Sequence, residues 1–147
     1  MVTVSIATIK DLKSVAPLFN AYRVFYNQES NLDAATQFLY DLISNNQSII
    51  LMATFSNKVV GFTQLYTTYS SVSLQPTLIL NDLYVDEANR KNGIGEALLN
   101  EAKMVCIANN YKGLALETAF DNPAQKLYEK LGWEKDSGYF HYFWSAK

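Results

Sequence analysis

Residues 77–103, TLILNDLYVDEANRKNGIGEALLNEAK, constrain the fold more than any other part of the chain. An apolar strand, a glycine-containing turn and an amphipathic helix follow one another without a gap. The turn is Arg90-Lys91-Asn92-Gly93-Ile94-Gly95. Glycine admits positive φ and lets the backbone come close to a ligand. The helix after it points several unpaired N–H groups back at the turn, an arrangement that favours anions and phosphate above all. Arg90 and Lys91 add positive charge. These residues form a candidate pyrophosphate cradle.

The remaining bulk properties narrow the field. A chain of 147 residues suits one domain, residues 1–147, with a core that needs no staples. Ten Tyr and eight Phe are many for this length, so some are expected to line a pocket. A net charge of -2 with no long basic run argues against a nucleic-acid partner. Cys106 is the one cysteine, which excludes a disulfide framework. With a single His besides, no metal site is expected. The first ten residues lack the basic and apolar regions of a signal peptide, and the longest apolar run, residues 49–53, is far too short to span a membrane. A reduced, cytoplasmic protein is the expectation.

Periodicity gives the elements. Residues 2–6 alternate as a strand. Thr8, with Asp11 three residues on, opens a helix carrying Leu12, Val15, Phe19, Tyr22 and Tyr26, with Pro17 placed to kink it. A second helix is expected over 33–45. Strands over 48–55 and 59–69 flank a short turn and read as a hairpin. A strand over 77–85 leads through the glycine turn to a helix over 93–109, and a short strand follows at 114–118. Asn122 as N-cap, Pro123 at the first helical position, Gln125 completing a capping box and Gly132 as C-cap mark one more helix. An aromatic-rich strand is expected over 138–145. The order β-α-α-β-β-β-α-β-α-β predicts an α/β (α+β) fold with a mixed sheet and helices on its faces.

With the elements in place, the chain resembles the GCN5-related N-acetyltransferase (GNAT) superfamily. Arg90, Gly93 and Gly95 match its Arg/Gln-x-x-Gly-x-Gly/Ala turn between strand and helix. Residues 122–133, from Asn122 through Leu127-Tyr128 to Gly132-Trp133, are similar to a second family segment, with Trp133 in place of the usual Phe. The resemblance implies a mostly antiparallel sheet of six to seven strands with about four helices. Within the superfamily the nearest likeness is to diamine (polyamine) acetyltransferases, through residues 80–85 and the aromatic stretch around His141. Asn81 stands where those enzymes carry a Glu linked to amine deprotonation.

The resemblance implies acetyl-CoA as donor. Its pantetheine arm would lie along Leu83, Tyr84 and Val85 like an added strand. Arg90, Lys91, Asn92, Gly93, Ile94 and Gly95 would hold the pyrophosphate, with Asn122 and Tyr128 also among the donor-binding residues. A free alkylamine with a pKa of roughly 10.4 must lose a proton before it attacks. Asp82 interrupts an otherwise apolar strand and is the first candidate base; alternation puts its side chain on one face with Leu80 and Tyr84. A structural carboxylate is the competing interpretation of Asp82. Glu117 is the second candidate base. The family places Tyr128 by the sulfur, as an acid for the leaving thiolate, whereas helical periodicity alone favours a core aromatic. The acceptor site falls to Tyr22, Tyr26, Glu29 and Asn81, with Asp33 a further carboxylate. The expected activity is transfer of an acetyl group to a primary amine of a small molecule, in a homodimer. A protein or peptide amine acetyltransferase and a non-catalytic acetyl-CoA-binding module are the alternatives.

Overall fold

The clearest local signal, the hairpin, sets the sheet. Strand β1 is Val2–Ile6, β2 is Ile49–Phe55 and β3 is Lys58–Ser70. Ser56 and Asn57 join β2 to β3 with both φ angles positive, 52° and 62°, as a two-residue turn that follows the strand twist requires. Strand β4, Gln75–Val85, lies antiparallel to β3, and β5, Leu114–Ala115, lies parallel to β4. The five strands are ordered β1-β2-β3-β4-β5, so the first four form a meander. The computed structural model describes all 147 residues.

Helices cover the sheet. Helix α1 is Leu12–Phe25, α2 is Leu32–Ser44, α3 is Ile94–Ala108 and α4 is Gln125–Lys130. The Thr8–Asp11 capping box forms as expected: Asp11 Oδ2 accepts the Thr8 backbone N–H at 2.8 Å and one turn of 3-10 helix leads into α1. Helix α1 runs on through Pro17. Val15, Ala16 and Phe19 of α1 join Ala35 and Leu39 of α2 and Ile50 and Phe62 of the sheet in one buried cluster. Helix α3 buries Ile94, Leu98, Leu99 and Ala102. Gly61 of β3 lies under it: a Cβ there would stand 3.2 Å from Ile94 Cγ2 and 3.0 Å from the Tyr84 carbonyl oxygen. No helix is long and apolar enough to cross a membrane.

Four sequence expectations need correction. First, the β3–β4 register slips: Gln64 faces Asp82, but Leu65 faces Leu80. Asn81 is the extra residue of a β-bulge. Directly paired residues share a face, and consecutive ones do not. Asp82 therefore shares a face with Tyr84 and opposes Leu80, which strict alternation had put beside it. Second, β5 stops at Ala115, so Glu117 is not on a strand and is exposed. Third, α4 begins at Gln125 and not at Pro123. Asn122 still caps, but it caps the tight turn ahead of the helix, where its Oδ1 accepts from the Ala124 N–H at 2.9 Å. The Gln125 amide turns back to the Phe120 and Ala119 carbonyls. Fourth, residues 138–145 form no strand, and the sheet has five strands where six to seven were expected. A strand needs a partner edge, and aromatic composition does not supply one.

The chain divides into two units, Met1–Glu117 and Thr118–Lys147. The first holds the sheet and α1, α2 and α3. The second holds α4, closed by Gly132 at φ 96° and by the Trp133 N–H donating to the Tyr128 carbonyl at 3.0 Å.

Candidate active site

Two features of the first unit converge on the end of β4. One is an open edge. Pairing of β5 with β4 ends at Ile79↔Ala115, while β4 continues six residues further to Val85. The stretch Leu83-Tyr84-Val85 is hydrogen-bonded to β3 on one side only. The other feature is the turn that follows. Arg90 Nε donates to the Val85 carbonyl at 2.9 Å, and its guanidinium lies 5.5 Å from the centre of the Tyr84 ring. Asn92 Nδ2 donates to the Asn89 carbonyl at 3.0 Å, and Asn89 Nδ2 to Asp86 Oδ2 at 2.8 Å. Lys91 and Gly93 hold φ of 67° and 76°.

Gly93 is the N-cap of α3. A Cβ there would meet nothing within 4 Å, so the turn needs glycine for its φ and not for room. A glycine cap also has no side chain to accept from the first-turn N–H groups, and the α3 dipole adds to their pull on an anion. Ile94, fully buried, anchors this helix end to the core. The donor set suits a pyrophosphate, and the unpaired β4 edge suits an extended amide-bearing arm.

The face of β4 toward α1 carries the titratable chemistry. Asp82 is buried, with only 2% of its surface exposed. Its Oδ2 accepts from Gln64 Nε2 at 2.7 Å, and its Oδ1 from Asn81 Nδ2 at 2.6 Å. Burial pushes its carboxyl above the usual carboxylate range, and hydrogen bonds from Asn81, Gln64 and the Tyr22 hydroxyl pull it partly back. Burial first and the Asp82 charge second raise the Tyr22 phenol, and the same two causes raise Tyr66 to about 12. Both phenols stay protonated through the physiological range. Gln64 Oε1 is buried with no hydrogen-bond partner. With the Asp82 carboxylate it makes a polar point in an otherwise apolar layer.

An aromatic wall stands beside this carboxylate. The Tyr22 hydroxyl donates to the Asn81 carbonyl at 3.4 Å. The Tyr22 ring lies 5.0 Å from Tyr26, 6.0 Å from Phe62 and 6.4 Å from Tyr84. Tyr26 is half exposed. Glu29 and Asp33 are exposed; the loop between α1 and α2 is pinned by Asn20, which accepts from the Asn31 N–H at 2.9 Å and donates to Ser30 Oγ.

Within the first unit the structure thus joins Asp82, Asn81, Tyr22, Tyr26 and Tyr84, and leaves Glu117 outside that cluster. Gln64 and Tyr66 are members that sequence reasoning missed. The signal available was a glutamine in the middle of a strand that reads as apolar. In the second unit Tyr128 is buried and its ring lies 6.2 Å from that of Trp133. Cys106 sits in α3 with its thiol raised by burial, unsuited to nucleophilic work.

Residues 12–133 match the model of the acetyltransferase (GNAT) family. The chain is 45% identical over 137 residues to an uncharacterized N-acetyltransferase, YhfO, of Bacillus subtilis, with 92% of each chain covered. It is 30% identical over 132 residues to a probable acetyltransferase of Haemophilus influenzae, covering 81% of this chain and 90% of that one. A crystal structure of a probable acetyltransferase superposes with a TM-score of 0.93 at 33% identity, covering 99% of this chain and 98% of that one.

Proposed function

The chain belongs to the acetyltransferase (GNAT) family, and from that premise we propose that this N-acetyltransferase moves an acetyl group from acetyl-CoA to a primary amine of a small molecule. Both units are taken as parts of one acetyltransferase domain. The observation that carries the proposal is Asp82: a buried carboxylate beside an aromatic wall, on the same strand whose open end leads into the glycine turn.

The donor supplies an activated acyl thioester, and the protein supplies position and electrostatics. The backbone groups of Leu83, Tyr84 and Val85 that neither β3 nor Arg90 engages pair with the extended arm of the donor. An N–H at Tyr84 or Val85 stabilises the thioester oxygen as its charge grows. Backbone amides from Arg90 to Gly95 hold the pyrophosphate at the α3 N-terminus, with Arg90 and Lys91 adding charge.

The acceptor enters as an ammonium ion. The Tyr22 and Tyr26 rings offer it π-faces, and Glu29 adds a long-range attraction. Asp82 takes the proton, directly or through water. Burial makes its carboxylate a stronger base than one in solvent, and its hydrogen bonds offset part of that shift. The amine nitrogen then attacks the thioester carbonyl, the C–S bond breaks, and the nitrogen gives up its second proton to water to leave the neutral amide. Tyr128 gives its phenolic proton to the departing sulfur and is reprotonated from solvent. A primary amine of a polyamine or an amino-acid-like molecule fits a carboxylate recessed behind aromatic rings better than one on an open surface would.

A thiol-release assay with acetyl-CoA tests the proposal. The panel holds polyamines, free amino acids, aminoglycosides and a lysine peptide. Release with a small amine supports it. Release with the peptide alone moves the acceptor to protein.

A further inference from the structure

The bulge in β4 leaves Asn81 without a partner across the strand pair, since Gln64 faces Asp82 and Leu65 faces Leu80. Its neighbours Leu80 and Asp82 are 4% and 2% exposed, yet Asn81 itself is exposed. From there its side chain reaches the buried carboxylate, and Nδ2 donates to Asp82 Oδ1 at 2.6 Å. Its backbone is held separately: the Tyr22 hydroxyl donates to the Asn81 carbonyl at 3.4 Å.

Each oxygen of the carboxylate therefore has a donor, Gln64 Nε2 on Oδ2 and Asn81 Nδ2 on Oδ1. So little of Asp82 is exposed that an amine reaches it directly only if a neighbouring group moves. The neighbours differ in their freedom to do so. Gln64 is 0% exposed, and turning it away would strand its Nε2 in an apolar layer. The Tyr22 ring stands among Tyr26, Phe62 and Tyr84. Asn81 has only to rotate its own side chain into water, where the amide recovers its hydrogen bonds.

We propose that the Asn81 amide is the gate of the acceptor site: it holds Asp82 Oδ1 while no acceptor is bound, keeps water off the carboxylate, and yields that oxygen to the ammonium group of the acceptor. The proposal rests on the role of base given to Asp82 above. The Nδ2 atom marks the place of the substrate nitrogen. Selection is by charge. A bond from ammonium to carboxylate carries charge on both sides and is stronger than one from a neutral amide. Water and alcohols bring no charge, and they compete with an amide tethered to the next residue. The gate therefore favours amines over hydroxyl acceptors. It also suppresses a wasteful reaction. At an open carboxylate, Asp82 would take a proton from water and the oxygen would attack the thioester carbonyl. The C–S bond would break to give acetic acid and a thiolate, which takes a proton in its turn. Asn81 acts through Asp82 and is a positioning residue.

Two measurements decide the proposal. The first uses the unaltered chain and follows the Asn81 side-chain amide by NMR as methylammonium chloride is added, with potassium chloride and methanol as controls. The amide signals should shift and exchange faster with water under methylammonium alone. Signals that stay in place, or that move equally with the controls, overturn the gate. The second is acetyl-CoA hydrolysis without any amine. It should run at least about tenfold faster in Asn81→Ala than in the wild type, a small part of what a positioned base supplies. Adding Asp82→Asn to Asn81→Ala should return it to the wild-type level. Hydrolysis unchanged in Asn81→Ala overturns the shielding if Asp82→Asn is inactive toward amines. If Asp82→Asn keeps its turnover, the assignment of the base is what fails, and the NMR titration alone judges the displacement.

Discussion

Gln64 Nε2 donates to Asp82 Oδ2 at 2.7 Å across the β3–β4 pair, and both side chains are buried. The bond exists because the bulge at Asn81 brings residue 82 opposite residue 64. Without the extra residue, Asp82 would point to the α3 face, away from Tyr22 and Tyr84. The basicity and the direction of the candidate base thus follow from one irregularity in one strand.

Asp82→Asn should lower kcat/KM by on the order of 10²–10⁴-fold, the usual contribution of a positioned base. Steady-state thiol release measures it. Turnover within a factor of two of wild type would leave Asp82 a structural residue.

Gln64→Leu should move the acid limb of the pH–rate profile upward. The Gln64 hydrogen bond favours the charged carboxylate, so its loss raises a carboxyl that burial has already raised. The base works only when deprotonated, so activity must begin at higher pH. Tyr22→Phe should shift the limb the same way, since its hydroxyl acts in the same direction. An unmoved limb would detach this network from the rate.

The same carboxyl sets a sign for stability. Its pKa is higher folded than unfolded, so the folded state holds more protons in the interval between the two values. Through that interval its contribution to stability should fall as pH rises. Melting temperatures from pH 4 upward, wild type against Asp82→Ala, isolate the slope; equal slopes would contradict it.

Much of this was legible in the chain. The glycine turn, the capping box at Thr8, the Ser56-Asn57 hairpin and the spans of α2 and α3 are local patterns, complete within a few residues. The bulge was not legible, because register depends on what β3 does opposite β4. Gln64 and Tyr66 escaped notice for the same reason: they sit eighteen and sixteen residues before Asp82, and only the fold brings them to it. The 138–145 segment was read as a strand on composition, yet it forms none.

Gly93→Ala should weaken acetyl-CoA binding and cost about 1 kcal/mol of stability, the usual penalty for a side chain in the left-handed region. Nothing lies within 4 Å of its new Cβ, so the cost is backbone strain alone. Gly93→Asn should recover part of it, because Asn tolerates that conformation. Equal losses for Ala and Asn would point to space and not φ. Gly61→Ala is the contrast: backbone 3.0 Å away cannot yield, so a loss of about 1–3 kcal/mol by overpacking is expected.

Tyr128→Phe should lower turnover strongly and leave acetyl-CoA affinity nearly unchanged, since the ring and its contact with Trp133 remain while the phenolic hydroxyl that would supply the proton is removed. Single-turnover kinetics beside a thermal-shift titration separate the two. Unchanged turnover would remove Tyr128 from the chemistry.

The most direct test is release of free CoA thiol from acetyl-CoA with a small primary amine, run on wild type and Asp82→Asn side by side. The expected result is turnover by the wild type with at least one amine of the panel and near-complete loss in the variant. No release with any amine, while acetyl-CoA still raises the melting temperature, would contradict acetyl transfer and leave a domain that only binds the donor.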